Sequence, residues 1–137
     1  NAVPTNIDGV KTDWHNLSHH GKDENKIDEL EIIEKEEFSL FAKFLAELKN
    51  HQENGSSLLT NTAVLFGSNL GNASSHDWRN LPIILAGGGY RHGCYVAHDP
   101  QNNTPLSNLF VPLAQRMGVA IEQFGKSTKS SLRGLES

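Results

Sequence analysis

Three polar segments hold the residue types that metal binding, proton transfer or substrate recognition would need. The densest is Asp13-Trp14-His15-Asn16-Leu17-Ser18-His19-His20-Gly21, where imidazoles and a carboxylate crowd a short stretch. Imidazole nitrogens are good ligands for zinc, iron or nickel, and the adjacent His19/His20 pair with a nearby carboxylate supplies two or three donors. The competing reading has His19 and His20 hydrogen-bonding the backbone and capping the loop, one facing in and one out. A second segment, Ser74-Ser75-His76-Asp77-Trp78, offers His76 as a metal ligand or as a general acid or base whose tautomer Asp77 fixes. Here a satisfied surface histidine is the alternative, and Trp78 is expected to pack rather than to stack on a ligand. The third segment, Gly67-Ser68-Asn69-Leu70-Gly71-Asn72, follows the apolar run TAVLF. Residues just beyond the carboxyl end of a strand line the ligand crevice of open α/β sheets, which makes Ser68 and Asn69 candidate substrate-binding residues. The same two side chains also suit ordinary turn chemistry.

Gly87-Gly88-Gly89-Tyr90-Arg91-His92-Gly93 lacks the lysine and serine or threonine that end a phosphate-binding loop, and is expected to be a flexible turn. There is no G-x-S-x-G elbow and no H-E-x-x-H pair, so no nucleophile or catalytic residue is identifiable. The single cysteine, Cys94, excludes an intrachain disulfide and is expected to be a small buried hydrophobe.

The elements that must position these groups follow from hydrophobic periodicity. Residues 1–16 are polar or irregular and read as an arm or connection, leaving 17–137 as one α/β domain. From Asp23 to about Lys49, Ile27, Leu30, Ile33, Phe41, Phe44, Leu45 and Leu48 recur at three- and four-residue steps among Glu and Lys. This predicts an amphipathic helix ~39 Å long, which must pack on a sheet or on another chain. Thr62 to Phe66 and Pro82 to Ala86 are short, nearly continuous apolar runs ending in glycine, the pattern of strands covered on both faces. The expected fold is therefore α/β, a layered, mostly parallel or mixed sheet flanked by helices. Cys94 to Ala97 and Val119 to Phe124 are candidate short strands. Thr104-Pro105 is expected to open a helix that Pro112 kinks or interrupts and Gly118 ends, and the residues after Phe124 read as a mobile or edge-lying tail.

A net charge of -4, with a sequence pI near 5.9, gives no broad basic field for nucleic acid. No apolar run approaches the ~20 residues of a membrane-spanning helix. The chain begins at Asn1 rather than methionine, so it is expected to be a mature or excised piece whose upstream domain lies elsewhere. The long helix is the expected surface for homo-oligomer formation.

Taken in order, LSHHGKD before a long helix, LLTNTAVLFGSNLG, SSHDWRNLPIILAGGG, and TPLSNLFVPLAQRMGV with FGKST resemble the C-terminal half of the bacterial family catalogued as domain of unknown function 1552. The resemblance runs from about Leu17 to Leu135. That family is in turn similar to exported bacterial proteins related to the alkaline phosphatase and sulfatase superfamily. The resemblance implies an alkaline-phosphatase-like fragment of an exported protein, periplasmic or extracellular, and a metal-dependent hydrolase of phosphate or sulfate esters if the site is active. It places His20, with His19, Asp13 and His15 as alternatives, in the first metal motif and His76 in the last, around one or two divalent ions such as zinc or manganese. Ser68-Asn69 stand where the superfamily uses a carboxylate. A neutral amide binds a divalent cation more weakly, which implies an altered or degenerate metal site.

Overall fold

The computed structural model describes residues 2–135. The first helix, α1 (Trp14–Ser18), is opened by Asp13, whose Oδ1 accepts the Asn16 backbone N–H at 3.2 Å and whose Oδ2 accepts the Asn16 side-chain amide at 2.6 Å. These donors satisfy the cap and hold the Asp13 carboxyl below the usual carboxylate range.

The long helix, α2 (Glu24–Asn50), runs for 27 residues and is capped by Asp23, which accepts from the N–H groups of Asn25 and Lys26. Its start, end and length agree with the periodicity. The N-terminal arm lies along it because Glu29 Oε2 accepts the Lys11 and Thr12 N–H groups at 2.8 and 3.0 Å. The Lys11 N–H is the larger cause of a lowered Glu29 pKa. The tether is therefore present at neutral pH and is lost on acidification through that lowered value. Leu17 of α1 has no exposed surface and Ile33 of α2 is 4% exposed, so the contact between these helices anchors this end of the core. Burying a side chain of this size stabilises by roughly 1.5–3 kcal/mol.

After α2 the chain turns through Asn54-Gly55, both at positive φ, in a small hairpin of β1 (Gln52–Glu53) and β2 (Ser56–Ser57). Ser57 caps the short α3 (Leu58–Asn61), which leads into β3 (Ala63–Gly67). β3 pairs with β4 (Ile83–Gly87), with Ala63 opposite Gly87, Leu65 opposite Leu85 and Gly67 opposite Ile83. Phe66 is clasped from α2 by Phe38 and Phe41, at ring separations of 5.5 and 4.5 Å.

The sheet corrects the expected fold class. Among the described residues the strands form two separate two-stranded antiparallel sheets, not a layered, mostly parallel or mixed sheet flanked by helices, and the alkaline-phosphatase-like architecture falls with it. The reason lies in the connection. A parallel return needs a crossover, usually helical, whereas residues 68–82 contain no helix and fold back on an Asn72–Asp77 bridge. With no further strand, the apolar runs are not covered on both faces: Leu65 is 37% and Ile84 is 39% exposed.

Neither 94–97 nor 119–124 forms a strand, and Cys94 is exposed rather than buried because its segment lies on the surface without regular structure. The last helix, α4 (Ser107–Arg116), begins after Thr104-Pro105 and keeps Pro112 inside it without interruption. Its buried Asn108 accepts the Thr128 N–H at 2.8 Å and donates to Thr128 Oγ1 at 3.3 Å, tying the C-terminal tail to the helix. Among the described residues no helix is long and apolar enough to cross a membrane.

Candidate functional site

Asp13 starts a helix just long enough to place His15 one turn before His19, the helix's C-cap. Their ring centroids are 4.8 Å apart, edge to face. His76 approaches from the 68–82 loop, with its ring centroid 5.1 Å from that of His19 and an interplanar angle of 82°. Histidines distant in the chain thus meet, with His19 in the middle and half-buried and His15 and His76 exposed.

The loop holds His76 by backbone geometry. Asp77 N–H donates to Asn72 O at 2.9 Å, Gly71 N–H donates to Asp77 O at 2.7 Å, and His76 N–H donates to Ala73 O at 3.2 Å. His76 itself adopts φ +52°, a left-handed conformation uncommon for a residue with a Cβ. That conformation costs about 1–2 kcal/mol and persists only where its surroundings impose it. Here it orients the ring toward α1.

His20 is not in this cluster. Its Nδ1 accepts the Lys22 N–H at 3.0 Å, and a neutral ring that accepts at Nδ1 carries its proton on Nε2, so neither nitrogen offers a lone pair to an ion. The nearby carboxylates are also engaged. Asp13 caps α1, and Asp77 accepts the Arg79 N–H at 3.0 Å while its carboxylate sits 3.9 Å from the Arg79 guanidinium. Ser68 continues the strand ladder by donating its N–H to Pro82 O, and its Oγ accepts the Leu70 N–H at 3.1 Å, the turn chemistry open to it from sequence. Asn69 is exposed on the same turn. Trp78, expected to pack, is 72% exposed. Among the described residues, no three His, Cys, Asp or Glu side chains already surround a common metal position.

His15 is the member that attention to the adjacent His19/His20 pair leaves in second place. The signal that singles it out is its i,i+4 spacing to His19 behind a capping aspartate. No family model, curated protein or solved structure matches this chain.

Proposed function

We propose that this chain binds a divalent transition metal, zinc in the first instance, through the imidazoles of His19 and His76, with His15 as the third donor. The observation that carries this reading is the gathering of the three rings at 4.8 and 5.1 Å. Two imidazoles on one tetrahedral zinc, each with a nitrogen–metal bond of ~2.0–2.1 Å, have ring centroids roughly 5 Å apart. Rotation of the exposed His15 and His76 rings about χ1 and χ2 is the adjustment that turns edge contacts into convergent lone pairs, and water completes the coordination. The donor set is all imidazole, since the neighbouring carboxylates are occupied. That set suits zinc and disfavours manganese, which prefers oxygen ligands. Hydrolysis of phosphate or sulfate esters would add to this a Lewis-acid role for the ion, with Asn69 orienting the substrate.

Isothermal titration of the full chain with zinc is expected to show saturable binding that His19→Ala and His76→Ala each weaken about tenfold or more, a loss typical of disturbed metal sites. His20→Ala is expected to bind as the wild type does. Equal zinc affinity in a His19→Ala/His76→Ala double variant and the wild type would remove the metal reading.

A second reading, assembly with another copy through α2, is favoured by a separate observation: Leu40 and Phe44, one turn apart, are 56% and 50% exposed. Sedimentation velocity is expected to show a concentration-dependent dimer that Phe44→Glu abolishes. A strictly monomeric particle at the highest attainable concentration counts against it.

A further inference from the structure

The C-terminal tail and α4 border an open cleft of about 460 Å³ that takes no part in the histidine cluster. Its walls include Tyr90, Pro112, Ser130, Ser131 and Leu132, and Arg116 provides its charge. The guanidinium is fixed on two sides. Nη1 donates to Gly88 O at 2.9 Å and to Gly89 O at 2.8 Å, and the group stacks 4.3 Å from the centre of the Tyr90 ring. Tyr90 is in turn held at 7% exposure, with its hydroxyl donating to Pro112 O at 3.0 Å. The sequence showed Gly87 to Gly89 only as a turn; the turn's carbonyls position a cation.

Among the described residues no carboxylate pairs with Arg116, and its Nε and Nη2 make no hydrogen bond. Those two nitrogens form the side-on edge of the guanidinium, whose parallel N–H groups match the two oxygens of a carboxylate. Stacking and carbonyl contacts have already fixed the plane of the group, so less rotamer freedom is lost when a ligand docks. We propose that this cleft binds a small carboxylate with an apolar body, its two oxygens on the Nε–Nη2 edge of Arg116 and its body against Pro112 and Leu132. The single cation favours a monoanion over phosphate, and the cleft volume lies in the range of small-molecule sites. The Ser130 and Ser131 hydroxyls line the same space.

The test uses the full chain freed of metal, titrated with sodium benzoate, and with sodium phosphate and sodium chloride at matched ionic strength, while the Arg116 Nε–Hε resonance is followed by NMR. Benzoate is expected to give a saturable shift, phosphate a response at least tenfold weaker and chloride none. Arg116→Lys keeps the charge but loses the fork and, followed on the Tyr90 and Ser131 backbone amide resonances that both proteins retain, is expected to abolish the saturable benzoate shift. Because that change also removes the contacts to Gly88 and Gly89, Ser131→Asp serves as the second variant: it places a competing carboxylate at an exposed position and is expected to weaken benzoate at least tenfold with an unchanged thermal midpoint. A linear response to benzoate, an equal response to phosphate, or undiminished benzoate binding in Ser131→Asp overturns the proposal. None of these readouts depends on zinc.

Discussion

Gly87→Ala is expected to lower the thermal midpoint by roughly 10 °C, corresponding to about 3 kcal/mol or more in a chain of this size. Two effects combine at this position. Its φ of +70° costs a residue with a Cβ about 1–2 kcal/mol. The new methyl would also lie 2.3 Å from both Leu59 O and Thr62 O, and 2.8 Å from Leu59 Cδ1. Those oxygens are backbone atoms where α3 passes into β3, so relief requires β4 to move away from α3 and strains the Gly88 N–H bond to Leu59 O, now 3.0 Å. Gly93 separates the two effects, because its φ is +75° but a methyl group added there would meet nothing within 4 Å. Gly93→Ala is therefore expected to cost only the conformational term. Equal midpoints for the two variants in parallel melts would show that the close approach at Gly87 contributes nothing.

The part of this fold that was legible in the sequence is the part whose information is local. The α2 boundaries follow from three- and four-residue spacing, and Asp23, at the start of that pattern, is the residue whose carboxylate caps the helix. TAVLF and PIILA were recognisable as strands, and they are paired with each other. Their direction was not legible. A continuous apolar run has no two-residue alternation to declare one open face, and it reads equally as a strand covered on both sides. Direction was decided by 68–82, where Asn, Ser and Gly make turns in place of a crossover helix. Likewise Val119 to Phe124 has strand-like composition, but the chain bends away at Gly118, with Val119 N–H returning to Ala114 O at 3.0 Å, and among the described residues it pairs with no strand.

The candidate site was legible in residue type and only partly in membership. His19 and His76 come together as the sequence allowed, while His20, adjacent to His19, turns into its own loop and accepts Lys22 N–H. Adjacent residues leaving a helix diverge, whereas residues four apart within it converge, so the helical spacing of His15 and His19 was the better guide than the eye-catching pair. What no local pattern encodes is the left-handed backbone of His76, which depends on the loop closing around it.

That dependence makes Gly71→Ala the most informative change at a position that contributes no ligand. A Cβ on Gly71 would meet Arg79 O at 2.0 Å and Asn80 O at 3.2 Å, both backbone atoms on the opposite side of the loop's neck. The neck is closed by Gly71 N–H and Asn72 N–H, both donated to Asp77 O, and by Asp77 N–H donated to Asn72 O. Opening it removes the constraint that holds His76 at positive φ, and the ring loses its place beside His19. Zinc affinity is expected to fall about tenfold to a hundredfold, as when the supports of a metal ligand are removed. Helix content by circular dichroism is expected to be unchanged, because α2 makes its own contacts away from this neck. An imidazole ring with free rotation would still find the ion from a loosened loop, and in that case Gly71→Ala would bind zinc as tightly as the wild type. Such a result would show that the ring alone, and not the strained loop that aims it, determines binding.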